Sequence, residues 1–220
     1  MCPKILLLVV TLAISINEVY SEEYINLIVD KLMRSSMDNF GQEIEPLRLE
    51  DKGYEFKTKV SVVTTSAIAK LYNTTLSGLS SMRRSSNASL ETIDDTFTQL
   101  SFSIAFDELK FSSSGTISLL GLGAHRTLNA MINNVTGKVV ISYNMARDTV
   151  SIGTFSLDSL DSLTIKTSGG FKVFDGLTNI VIKSVLPLAK KTVKLAAEYA
   201  LTKVMNVAVA DNDTLKRFLG

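Results

Sequence analysis

From Asp175 to Ala210 the residues Leu177, Val181, Val185, Leu188, Thr192, Leu195, Tyr199 and Thr202 recur at three- and four-residue steps, the spacing of one stripe along a helix. Thirty-odd residues at roughly 1.5 Å each make a rod of about 50 Å. A compact domain of roughly 200 residues is narrower than that, so the rest of the chain has to wrap along the rod. Pro187 falls inside the stretch and predicts a kink or break near Lys183, because proline has no N–H to give and crowds the preceding turn. Lys183, Lys190, Lys191, Lys194 and Lys203 supply the wet face, and they read as a solvated helix surface rather than a membrane-binding one.

What wraps the rod has a different period. Phe56, Thr58, Val60 and Val62 alternate with Lys57, Lys59 and Ser61, and Leu100, Phe102, Ile104 and Phe106 alternate with Ser101, Ser103, Ala105 and Asp107, which is the two-residue repeat of a half-buried strand. After Asp107-Glu108 the apolar set moves to Leu109 and Phe111, on odd positions, and a β-bulge there explains the change of face. Val139, Ile141 and Tyr143, then Val150 and Ile152, then Leu163 and Ile165 predict three more strands, with a turn over Asn144 to Asp148 and a bend at Gly153. Ahead of the strands, Ile25, Ile28, Val29, Leu32 and Met33 mark a helix from Glu22 to Phe40, ended by Gly41 and followed by an extended connector through Pro46. Helix, strands, long helix, with no internal repeat and no linker, predict a single α+β domain over residues 22–220. Its expected form is a curved antiparallel sheet rolled around the long C-terminal helix, with the amphipathic helix at its N-terminus.

The run Ile5 to Ile16, after Lys4 and before Val19-Tyr20-Ser21, has the form of a secretory signal peptide: its apolar core is too short to cross roughly 30 Å of hydrocarbon, and Val19 and Ser21 have the small-residue spacing of a cleavage site. Residues 1–21 are therefore expected to be removed after Ser21, leaving a secreted, extracellular chain with no integral membrane anchor. Removal takes away Cys2, the only cysteine, so stability must come from burial, and roughly 200 residues can bury about 70% of their extended surface. Four sequons, at Asn73, Asn87, Asn134 and Asn212, are candidate glycosylation sites that fit secretion.

Chemistry is sparsely provided. His125 is the only histidine and has no motif around it, and no Gly-x-Ser-x-Gly elbow occurs, so no catalytic residue is assigned and the chain reads as a non-enzyme. One histidine and no mature cysteine cannot build a usual zinc site, so neither a metal nor a cofactor is expected. Asp94-Asp95 and Asp107-Glu108 read as turns or edges. Gly121-Leu122-Gly123 lacks the rest of a phosphate loop, and Arg83-Arg84 has no interleaved aromatics. A formal charge of +1 gives no reason to expect a nucleic-acid partner.

The run from Ala69 to Arg84 resembles the same region of the group 7 mite allergens, the match being carried by the Gly78-Leu79 and Met82-x-Arg84 spacings. The order of elements is similar over nearly the whole mature chain, including a Gly176-Leu177 step opening the long helix. That family is related in fold to the juvenile-hormone-binding and takeout proteins and to one half of the bactericidal permeability-increasing proteins. The resemblance implies a lipid-like ligand between sheet and helix and supplies no catalytic residue. This sequence lacks the N-terminal cysteine pair of the hormone carriers, which puts hormone specificity in doubt.

Two functions fit. The first is a secreted, non-catalytic carrier of an apolar or amphipathic small molecule, held by burial in a hydrophobic pocket between Phe102, Ile104, Val139 and Ile141 on the sheet and Val181, Val185 and Leu188 on the helix. The alternative is an interaction protein with a packed core, whose surface contacts bacterial or host lipid, a membrane or a protein partner. Oligomeric state is left open.

Overall fold

A computed structural model describes residues 21–60, 63–119, 122–158, 164–168, 175–210 and 212–219, with most of their side chains. It begins with helix α1 (Glu22–Ile44), started by the Ser21 hydroxyl, which accepts the Tyr24 N–H at 3.3 Å. Ile25, Ile28, Val29, Leu32 and Met33 are all buried, so the stripe read from the sequence is the packed face. Gly41 does not end this helix. The chain stays helical to Ile44, whose side chain is also buried, and that burial offsets the backbone-entropy cost of about 1 kcal/mol for one glycine in a helix.

Among the described residues nine antiparallel strands follow: β1 (Leu47–Leu49), β2 (Lys52–Val60), β3 (Val63–Ser77), β4 (Arg83–Arg84), β5 (Ser89–Asp94), β6 (Phe97–Leu119), β7 (Leu122–Asn144), β8 (Thr149–Leu157) and β9 (Thr164–Ser168). The spine is the β6–β7 pair, each 23 residues long. On one side of β6 lie β5, β4 and β3 in succession; on the far side of β7 lie β8 and β9. The outer edge of β3 carries β1 and β2 end to end. Against the sheet pack α1, the long helix α2 (Asp175–Ala210) and a short helix α3 (Asp213–Leu219). The α+β architecture is the expected one.

The change of face near Asp107 is real, but it is not a bulge of one strand. Phe106 pairs with Val135 and Glu108 with Asn133, so the β6–β7 register runs on without a shift and Asp107 stands opposite Asn134. The buried set changes parity on both strands together, from Phe106 to Leu109 and from Ile132 to Val135. Asn134 has φ +56°, a left-handed conformation that asparagine tolerates better than most residues. A true bulge sits on β3, where Asn73 (φ +51°) falls at the register shift between Tyr72 and Thr75. The bend expected at Gly153 is present, since Val140 pairs with Thr154 and Ile141 with Ile152, leaving Gly153 as the extra residue.

Helix α2 is continuous through Pro187, so the expected break does not occur. A second correction concerns its phase. Val193, Ala197, Ala200, Leu201, Val204, Met205 and Val209 are the buried residues of its second half among the described residues, whereas Leu195 and Tyr199 of the expected stripe are 55% and 74% exposed. Val193, Ala196, Ala197, Ala200, Leu201, Val204 and Met205 surround Leu195 and Tyr199 with apolar choices on several sides, so periodicity alone could not select the face that meets the sheet.

Candidate functional site

Phe102, Ile104, Val139 and Ile141 sit together on the inner face of the sheet. Phe102 pairs directly with Val139, Leu100 with Ile141, and Ile104 with Gly137. All four are at most 3% exposed and belong to one continuous core with α1 and the second half of α2. Two hydrogen bonds fix this end: the Leu157 N–H donates to Glu198 Oε1 at 2.7 Å, and the Ile152 N–H to Asn206 Oδ1 at 2.8 Å. Their acceptors lie on α2 from Glu198 to Asn206, beside the part of β8 that pairs with Gly137 to Ile141. The side chains of Val181, Val185 and Leu188 lie outside the described residues.

An open cleft of about 500 Å³ lies elsewhere, between the end of α1, strand β1 and the outer side of α2. Ile44, Leu47 and Leu49 form one wall, and Leu195, Ala196, Tyr199, Ala200 and Val204 form the other. The local sequence explains the geometry. Glu45-Pro46 cannot extend α1, and Leu47-Arg48-Leu49 forms a three-residue strand with both leucines half-buried, too short to cover the helix beside it. Arg48, Lys52 and Lys203 stand at the rim with Glu43 and Glu50. Lys52 Nζ is paired with Glu50 Oε2 at 3.2 Å, while Arg48 and Lys203 have no ion-pair partner among the described residues. Beneath the cleft, and sharing Leu49, Glu50, Lys52 and Thr192 with it, is a small void lined by Tyr54, Leu71, Thr74, Phe111 and Val193. The Tyr54 and Thr192 hydroxyls are 3.1 Å apart across it.

The residues of the Gly78-to-Arg84 run serve the fold. Gly78, at φ +93°, lies so close to β6 that an added Cβ would overlap the Glu108 carbonyl oxygen. The Glu45 carboxylate accepts the Gly78 N–H at 2.8 and 2.9 Å and the Ser80 N–H at 3.1 Å, holding the 3₁₀ turn Leu79–Ser81 against the end of α1. Leu79 and Met82 are buried. Arg84 Nε donates to Asp30 Oδ1 at 2.9 Å and Nη2 to Asp30 Oδ2 at 3.0 Å, a two-pronged pair that fastens α1 to the sheet. Hydrogen bonding to Asp30 raises the Arg84 pKa, against the opposing effect of burial.

His125 lies exposed on β7, with Nδ1 3.0 Å from the Tyr72 hydroxyl. Of the sequon asparagines, Asn73, Asn87 and Asn134 are exposed and Asn212 is half-buried, its Oδ1 accepting the Leu215 N–H at the start of α3. Among the described residues no helix is long and apolar enough to cross a membrane, and no group of three or more His, Cys, Asp or Glu could hold a metal ion. Sequence reasoning missed the cleft. Its available signal was Leu195 and Tyr199 one turn apart, with Lys191 before them and Lys203 after.

The family model for the group 7 allergen matches residues 24–209. No curated protein sequence matches the chain. Among solved structures, a takeout protein of Epiphyas postvittana, Takeout 1, is similar at TM-score 0.51 and 13% identity, over 86% of this chain and 93% of that one. A lipopolysaccharide binding protein is similar at TM-score 0.50 and 14% identity, over 88% of this chain, which spans 37% of that protein's length. These likenesses establish the fold.

Proposed function

The chain belongs to the group 7 allergen family, and from that premise we propose that it is a secreted, non-catalytic binder of an apolar or amphipathic, lipid-like molecule. The observation that carries this reading is the uncovered apolar side of α2: Leu195, Ala196 and Tyr199 face a cleft of about 500 Å³ instead of the sheet. A site in the range of roughly 300–1,000 Å³ suits one small molecule, and burial at about 25 cal/mol per Å² binds a hydrocarbon chain with few polar contacts. The names of the similar structures, a takeout protein and a lipopolysaccharide binding protein, support the same reading.

A second reading, an interaction protein with a packed core that touches lipid or a protein partner, is favoured by one observation. The sheet end around Ile104 and Ile141 is filled, with no exposed surface on either residue. Both readings take residues 1–21 as the signal peptide, residues 22–220 as the mature domain, and the sequons as candidate glycan sites. Cleavage after Ser21 would remove the hydroxyl that caps α1.

Native mass spectrometry of protein secreted from eukaryotic cells tests the choice, and the same sample gives the N-terminus. Co-purified lipid supports the carrier. An empty protein that binds lipid vesicles supports the second reading, and a first residue before Val19 overturns the signal-peptide boundary.

A further inference from the structure

We propose that the cleft between β1 and α2 is the ligand's site of entry and that its occupant is a long-chain fatty carboxylate, lying tail inward with its headgroup between Arg48 and Lys203. This rests on the carrier reading and adds to it a location and a ligand class. The walls offer Leu47, Leu49, Leu195 and Tyr199 to a tail, and the floor leads toward the void beside Tyr54 and Thr192. That void is about 10 Å³, so the chain's inner end reaches it only if Tyr54 and Thr192 separate, and the cleft itself holds most of the tail.

The charge at the mouth selects the headgroup. Three cations, Arg48, Lys52 and Lys203, face two carboxylates, Glu43 and Glu50, and one cation is already matched by the Lys52–Glu50 pair. Arg48 and Lys203 are left to meet an anion, with Glu43 opposing. A guanidinium can hold a carboxylate by two parallel hydrogen bonds, which a neutral alcohol cannot accept in the same way. One cleft of this size takes a single chain, so multi-chain lipids are disfavoured by room as well as by charge.

The test is a titration with cis-parinaric acid, beside the corresponding parinaryl alcohol, on wild type, on the double variant Arg48→Gln/Lys203→Gln, and on Ala196→Trp. Arg48 and Lys203 are exposed, so the double variant should melt as wild type does. It is expected to bind the acid about tenfold more weakly with the alcohol unchanged. Ala196→Trp should lose about tenfold or more for both probes by filling the cleft, and Leu195→Asp, at an exposed position, serves as the second variant if the tryptophan disturbs folding. Higher salt should weaken the acid alone, since the headgroup pair is at the surface. If wild type binds and all variants bind equally well, the ligand sits elsewhere and this inference falls while the carrier reading stands. Equal weakening of acid and alcohol by the double variant overturns the carboxylate assignment. A wild type that binds neither probe overturns the carrier reading itself.

Discussion

Two flanks of the same stretch of α2 meet opposite surroundings. On one, Val193, Ala197, Leu201 and Met205 are pressed against the sheet with at most 2% exposure; on the other, Leu195 and Tyr199 look into an open cleft. Both flanks are apolar, so composition does not account for the difference. The difference follows the extent of the sheet: its central strands β6 and β7 are 23 residues each, and β8 packs against the helix, whereas the outer edge is made by the three residues of β1 and by β2 starting at Lys52. An apolar helix face becomes core where the sheet underlies it and becomes a binding surface where the edge stops short.

The sharpest way to break this comparison is a pair of truncations. Ile104→Ala, at a position with no exposure among packed neighbours, should cost about 3 kcal/mol, as the cavity adds to the lost transfer energy. Leu195→Ala removes as large an apolar side chain from the cleft wall and should change stability by no more than about 0.5 kcal/mol. Urea unfolding of both variants measures the contrast. Equal losses would mean that the cleft wall is structural and that the two flanks are not different in kind.

How much of this was legible in the sequence depends on how many sides of an element are apolar. Helix α1 has one apolar stripe, and Ile25, Ile28, Val29, Leu32 and Met33 are buried as their spacing requires. The strands have one apolar face each, so Leu100, Phe102, Ile104, Val139 and Ile141 also fall inside. The second half of α2 is apolar on several sides, and there the expected stripe followed Leu195 and Tyr199 to the wrong side. The matched irregularity at Asp107 and Asn134 was visible on β6 as a change of parity. On β7 the same change, from Ile132 to Val135, went unread because Asn134 read only as a sequon asparagine. The cleft depends on where β1 ends relative to α2, a tertiary relation with no local signature.

A smaller effect is expected where α1 is fastened to the sheet. Arg84, with its side chain 19% exposed, holds the more exposed Asp30 by two hydrogen bonds and also donates to the Ser86 carbonyl at 2.8 Å. Arg84→Lys keeps the charge but loses the two-pronged geometry, and should cost about 1 kcal/mol, with faster hydrogen exchange in α1 than in β6 or β7. Because α1 also supplies Ile44 to the cleft wall, fatty-acid affinity should fall slightly in the same variant. Uniform loss of protection across α1, β6 and β7 would show instead that α1 and the sheet unfold as one unit.

The smallest expected effect lies at the filled end, at the turn between β7 and β8. The Tyr143 hydroxyl donates to Asp148 Oδ1 at 3.0 Å, and that hydrogen bond, followed by burial and the carboxylate's charge, raises the tyrosine pKa above the ordinary value of about 10. A raised pKa in the folded state means that the neutral phenol is the form the fold prefers. The stabilisation is therefore fully present below about pH 10 and is lost as the pH rises through the higher folded value. Urea midpoints for wild type and Tyr143→Phe should differ by a constant amount from neutral pH to about pH 9 and then converge at higher pH. A difference that stayed constant through the alkaline range would remove Asp148 as the cause. Fatty-acid affinity at neutral pH should be the same in both proteins, because Tyr143 belongs to the filled end and shares no lining residue with the cleft. A weakened probe in Tyr143→Phe would mean that the filled and open regions are coupled through α2.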